Sequence, residues 1–261
     1  MGDEASARSI EPRAWQAVLE HVERRLLDGE LAPGDRLPGE RQLAADLGVG
    51  RSSVREALRV LEVLGLIRTH AGSGPTAGAI IIATPGGGMS ALMRLQVAAS
   101  GFPVGDIVAT RLLLETHVAG DLAAASARAA ASAPDLAAAE RLLDAMDDPA
   151  LDPAEFLALD AAFHLALAEA SGNQVVTATM AGLRSGIEGY ALAGQGRIAD
   201  WPATSTRLRA EHRGVLDAIR AADATTARTR IHDHISGYYA EISPETDTAP
   251  DAGAPSAPAH P

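Results

Sequence analysis

Between Met89 and Ile242 the apolar residues recur at three- and four-residue spacing almost without interruption, a period that admits helices but not strands. The breaks fall at Pro134, Pro149, Pro153, Gly172-Asn173 and Pro202, residue types that start or end helices. Candidate helices cover about 89–99, 104–131, 135–147, 153–171, 174–194, 203–221 and 224–242. Six to seven helices joined by short connections predict an all-α bundle over 89–243.

The chain before Met89 is patterned differently. Trp15, Val18, Leu19, Val22 and Leu26 mark one helix, ended by Gly29 and Pro33-Gly34. A short helix follows from Glu40 to Leu47, then the turn Gly48-Val49-Gly50, then a helix from Arg51 to Leu64 that buries Val54, Ala57, Leu58 and Leu61. Leu66-Ile67-Arg68-Thr69 and Ala79-Ile80-Ile81-Ile82 read as strands flanking a hairpin tip at Gly72-Ser73-Gly74. The fold class is therefore mainly α, with a winged helix-turn-helix over 13–83 joined to the bundle. Thr84-Pro85-Gly86-Gly87-Gly88 is the expected linker. Residues 1–12 and the proline-rich 244–261 have too little apolar content for a core and are expected to be disordered.

Composition narrows the chemistry. There is no cysteine, so neither a disulfide nor a thiolate metal ligand is available. No apolar run reaches the roughly 20 residues of a membrane span, and Arg8 and Arg13 are not followed by a signal-peptide core. A cytoplasmic location without membrane association is the expectation. The formal net charge of −12 argues against nucleic acid until it is located along the chain. Residues 36–70 carry six arginines against four acids. Phosphate attraction is local, because charges beyond about 8–10 Å are screened. An acidic bundle can coexist with a basic reading head.

In a helix-turn-helix the first residues of the second helix meet base edges. Here those are Arg51, Ser52, Ser53 and Arg55. Arginine forks onto guanine O6 and N7, and serine suits a phosphate or a base edge. Arg41 in the preceding helix can reach the backbone, and Gly72 lets the wing approach a minor groove closely.

A second constellation lies in the bundle. Asp160 and His164 are four apart in one helical run, which places both side chains on one face, roughly 5–6 Å apart at Cβ. His212 and His234 belong to two later runs. Together the four suit one divalent metal ion: zinc first, with nickel, iron or manganese as alternatives, and not calcium. His232 lies two residues before His234, about 200° around a helix, so both cannot face one site.

The segments Gly34-Asp35-Arg36-Leu37-Pro38-Gly39-Glu40-Arg41-Gln42-Leu43-Ala44, Leu47-Gly48-Val49-Gly50-Arg51-Ser52-Ser53-Val54-Arg55-Glu56-Ala57-Leu58, Gly65-Leu66-Ile67 and Gly72-Ser73-Gly74 closely resemble the GntR family of bacterial transcription regulators. The resemblance implies Arg41, Arg51, Ser53 and Arg55 as DNA contacts. Two positions depart from the family pattern. Gly50 stands where serine usually caps the recognition helix and caps it more weakly, and Ala71 replaces a polar wing residue.

Arg111-Leu112-Leu113-Leu114-Glu115, Asp160-Ala161-Ala162-Phe163-His164, Ala170-Ser171-Gly172-Asn173, Glu211-His212-Arg213 and His234-Ile235 resemble the FCD effector domain that accompanies such heads. Its metal-binding members use one Asp and three His, which map to Asp160, His164, His212 and His234. The family responds to small organic acids, and Arg111 is the residue placed to pair with an effector carboxylate. Glu115 and His117 lie near Arg111 and are candidates to line the pocket, but the expectation for them is a polar or packed helix face, with Arg111 paired to Glu115 as the alternative to an effector contact.

These readings imply a ligand-responsive repressor. It would act as a homodimer on a short palindromic duplex operator, with a divalent metal and a small carboxylate effector in the bundle. The rival reading is a metal-dependent hydrolase or lyase acting on a small carboxylate, since a metal with open positions is a Lewis acid. No separate general base stands beside the ligands in sequence, which weighs against it.

Overall fold

A computed structural model of the chain describes residues 14–70, 78–82, 87–99, 101–128 and 133–243. The N-terminal part comprises α1 (Ala14–Leu27), α2 (Glu40–Leu47), α3 (Arg51–Val63), β1 (Ile67–His70) and β2 (Gly78–Ile81). α2 stops at Gly48, whose φ of +64° carries its N–H back to the Ala44 and Ala45 carbonyls. A side chain at that dihedral would be strained, so glycine makes the turn that sets α3 across α2. Gly50 then opens α3 with no side-chain cap, as its residue type dictates. Val54, Ala57, Leu58 and Leu61 of α3 pack with Val18 and Val22 of α1 in one apolar core.

β1 and β2 pair antiparallel from Ile67↔Ile81 to His70↔Gly78. A third segment, not anticipated from the sequence, pairs on the other edge of β2. Gly34 N–H donates to Ile81 O at 2.8 Å, Ile81 N–H to Asp35 O at 2.8 Å, and Leu37 N–H to Ala79 O at 2.9 Å. The four residues from Gly34 to Leu37 are too few to show a period, so only the tertiary pairing reveals them. The hairpin tip, including Gly72, lies outside the described residues.

The expected linker needs correction at its end. α4 (Gly87–Ala98) already contains Gly87 and Gly88, while Thr84, Pro85 and Gly86 lie outside the described residues. Gly88 is buried, and a Cβ there would stand 2.4 Å from Leu64 O at the end of α3. The glycine thus serves close backbone approach rather than freedom of movement.

α5 (Val104–Ser126), α6 (Ala137–Ala145), α7 (Pro153–Ala170), α8 (Gln174–Gln195), α9 (Trp201–Arg220) and α10 (Ala224–Ile242) complete the bundle. α10 lies along α5 and α9, α7 along α8 and α6, and α4 along α8. Their shared core includes Phe156, Phe163, Leu122, Met180, Leu216 and Ile231. α5 ends at Ser126, five residues short of its expected limit. No helix of the described residues is long and apolar enough to cross a membrane.

Local chemistry sets the register of the helices that matter most. At α7, Asp152 Oδ1 accepts from Glu155 N–H at 2.8 Å and Glu155 Oε2 accepts from Asp152 N–H at 3.0 Å, with Pro153 in the first turn. Asp200 and Asp223 cap α9 and α10 in the same sense. Between α9 and α10, Ala222 takes φ +59°, a left-handed position normally given to glycine. An L side chain there costs on the order of 1 kcal/mol. Ala222→Gly is therefore expected to raise the melting temperature of the bundle by about 2–4 °C. A calorimetric scan showing a lower melting temperature would refute the strain.

Candidate metal centre and DNA-reading face

α7 presents Asp160 and His164 on one face, α9 presents His212, and α10 presents His234. One ligating atom from each lies within 4.8 Å of all the others. His234 Nε2 stands 3.2 Å from His164 Nε2 and 3.1 Å from His212 Nε2. Asp160 Oδ1 is 3.1 Å from His212 Nε2. The three histidines are buried and Asp160 is 13% exposed at its side chain.

The outer nitrogens decide what the inner ones can do. His164 Nδ1 faces Glu115 Oε2 on α5, and His234 Nδ1 faces Glu211 Oε2 on α9 at 2.8 Å. A carboxylate accepts only, so each Nδ1 carries the proton and each Nε2 turns a lone pair inward. Two such lone pairs 3.2 Å apart repel unless a cation lies between them. The donor set fits a divalent ion held by three imidazoles and a carboxylate. His212 is asymmetric: its Nδ1 has no partner among the described residues, and its ring packs 4.6 Å from that of Phe163.

The electrostatics suit ligands that must be deprotonated. Burial pushes His212 down to about 4, helped by the neighbouring His234 charge. Burial likewise lowers His234. For Asp160 burial acts upward, but its contact with His212 and the three imidazoles gathered around it hold it well below the usual carboxylate range.

Arg111 and Glu115 lie one turn apart on α5, both buried. Arg111 Nε donates to Glu115 Oε1 at 2.7 Å and Nη1 donates to Tyr190 Oη at 2.8 Å. Its Nη2 has no partner among the described residues. Arg111 lines a cavity of about 10 Å³ together with Asp160, Glu188, His234 and Tyr238. That is room for one water, so a ligand there must displace side chains. Burial also acts to raise Glu115, but the charges of Arg111 and His164 bring it down to about 2.

Glu115 lies on a packed face, buried between Arg111 and His164, and its pairing with Arg111 is the alternative that the sequence offers for that arginine. His117, by contrast, is a surface residue paired with Asp121. Tyr190, Tyr238 and the Glu211 carboxylate were not singled out from the sequence. No local signal marks them, because their roles arise from packing between helices. His232 is exposed and pairs with Asp233, on the face away from the cluster.

On the head, Arg51, Ser52 and Arg55 are exposed along the start of α3 and Ser53 is half-buried. Arg55 Nε lies 3.8 Å from Glu40 Oε2 at the start of α2, and Arg41 is exposed beside it. Gly72 cannot be placed, lying outside the described residues.

Comparison with known proteins covers both parts. A family model described as "Bacterial regulatory proteins, gntR family" matches residues 15–76, and one described as "FCD domain" matches residues 106–237. The HTH-type transcriptional regulator LutR of Bacillus subtilis (strain 168) is 30% identical over 82% of this chain and 97% of its own length. The Glc operon transcriptional activator of Escherichia coli (strain K12) is 28% identical, covering 84% of this chain and 85% of that protein. The HTH-type transcriptional repressor NanR of Citrobacter rodentium (strain ICC168) is 30% identical over 86% of this chain and 84% of its own. Among solved structures, Streptococcus agalactiae GntR aligns with 88% of this chain and 100% of that chain, at 27% identity and a TM-score of 0.54.

Proposed function

Because the chain belongs to the gntR family of bacterial regulatory proteins and is a DNA-binding transcription regulator with an FCD domain, we propose that its bundle senses a small organic acid with the help of a divalent metal ion. The hydrolase or lyase reading is not favoured, since the relatives are transcription regulators. The observation that carries the proposal is the convergence of three imidazoles and Asp160 on one point, beside a buried arginine with an uncommitted donor.

Asp160, His164, His212 and His234 hold the metal, zinc being the first candidate for a nitrogen-rich set. When bound, the metal supplies a positive pole for an oxygen of the acid. Arg111 supplies the second pole, its Nη2 donating to the carboxylate from inside the cavity. A buried carboxylate is costly unless paired in this way. The binding unit on DNA is a homodimer reading a short palindromic operator in the cytoplasm, with Arg41, Arg51, Ser52, Ser53, Arg55 and the wing at Gly72 as its contacts. Repression is the proposed sign of control, as in the NanR relative, while the Glc operon relative is an activator.

Native mass spectrometry of the purified protein, followed by calorimetry of the metal-loaded form with a panel of two- to four-carbon hydroxy and dicarboxylic acids, tests the reading. Absence of a bound metal and of any acid response would overturn it. Arg111→Lys sharpens the test. Lysine keeps the charge beside Glu115 but lacks the planar fork. Acid affinity should fall about tenfold or more while metal content stays near wild type. Undiminished affinity in Arg111→Lys would remove this residue from the acid site.

A further inference from the structure

We infer that Glu115, which is neither one of the four converging ligands nor a wall of the cavity, is the positioning residue that aims both His164 and Arg111. The inference rests on the metal reading above. The Glu115 carboxylate is divided between two helices. Oε1 takes the Nε–H of Arg111, one turn back on α5, at 2.7 Å. Oε2 takes Nδ1–H of His164 on α7. All three side chains are 5% exposed or less, so water does not compete for these bonds.

Two consequences follow from that division. On the His164 side, the bond dictates the tautomer. An acceptor at Nδ1 places the ring proton there and leaves Nε2 bare toward Asp160, His212 and His234. On the Arg111 side, Glu115 occupies Nε and Tyr190 occupies Nη1, so Nη2 is the nitrogen left to serve the cavity. One carboxylate thereby prepares a metal-binding nitrogen and an anion-binding nitrogen at once, without itself contacting the metal or the acid. Glu211 performs only the first of these tasks, for His234.

Glutamine is the informative replacement because it keeps the shape and changes the chemistry. Its amide offers one acceptor and one donor group where the carboxylate offers two acceptors. If the oxygen stays with Arg111, the NH2 group meets His164 Nδ1. The ring must then accept at Nδ1 and carry its proton on Nε2, where a metal cannot bind. The loss expected on this ground is about 10–100-fold in metal affinity.

A competing explanation is that Glu115 merely neutralises Arg111, and that Glu115→Gln leaves a bare buried cation to repel the metal. The double variant Arg111→Met/Glu115→Met removes that cation, and with it the main threat to folding, and leaves no acceptor at position 115 for His164 Nδ1–H. Zn²⁺ and Co²⁺ affinities should be measured against a competing chelator for wild type, Glu115→Gln and the double variant. Imidazole ¹⁵N NMR of the metal-free proteins reports the His164 tautomer, its signals being identified by their loss in His164→Gln. The expected result is a 10–100-fold weaker metal in Glu115→Gln, no recovery in the double variant, and a proton moved from Nδ1 to Nε2 of His164. Full recovery in the double variant would overturn the positioning role, and so would an unchanged tautomer in Glu115→Gln. Failure of the wild type to take up either metal would overturn the metal reading instead, and the tautomer would still report on Glu115.

Discussion

Stripping the metal from the purified protein with a chelator is expected to lower the melting temperature of the helical bundle by roughly 8–16 °C. The arithmetic is that of mass action. A ligand present at about a thousand times its dissociation constant stabilises the folded state by about 4 kcal/mol. In a domain of this size each kcal/mol shifts the melting temperature by about 2–4 °C. The physical source of the effect is that α7, α9 and α10 each contribute a ligand, so the ion ties together three helices. Without it, the lone pairs of His164 and His234 face each other at 3.2 Å. His234→Ala should reproduce most of the loss, and added metal should then stabilise little. His232→Ala should change nothing, because that ring is 54% exposed on the opposite side of α10 and bonds to Asp233. Differential scanning calorimetry with and without added Zn²⁺ measures all three. An unchanged melt after chelation would sink the assignment, as would metal lost from His232→Ala but kept by His234→Ala.

Arg51→Ala and Arg55→Ala are expected to abolish the preference for operator over scrambled duplex while leaving the fold and its metal intact. Each guanidinium lies exposed near the start of α3, where a recognition helix enters the major groove. A lost bidentate base contact costs about 1–3 kcal/mol. A two-fold operator doubles that to about 2–6 kcal/mol per dimer. Neither residue contributes to the head core of Val18, Val22, Leu58 and Leu61, so thermal stability should hold. The Arg55–Glu40 pair is exposed and contributes little to stability. Titration on a duplex selected by the wild-type protein, and on its scrambled counterpart, gives the ratio directly. Equal discrimination in variant and wild type would remove these arginines from base reading.

Most of the architecture could be read before any coordinates. Helical period and capping are local properties, so the spans of α7, α8 and α10 agree with their expected limits to within a residue. The Asp160/His164 pair and the exclusion of His232 follow from the pitch of one helix, which every α-helix shares. Two features resisted. The strand-like segment at 34–37 is recognisable only by its partner on β2, since its hydrogen bonds are to residues more than forty positions away. Gly88 looked like part of a linker because composition alone cannot distinguish a glycine that moves from one pressed against a neighbouring backbone.

The same division runs through the site. The ligand types, the face shared by Asp160 and His164, and the arginine of α5 are inherent in the order of residues, because each depends on chemistry within one or two helical turns. That His212 and His234 meet them, that Glu115 lies between Arg111 and His164, and that Tyr190 claims one arginine nitrogen while Nη2 is left over, depend on how five helices cross. Helix crossings are set by side-chain packing summed over the whole core, from Phe163 and Leu208 to Ile231, and no local stretch of sequence contains that sum.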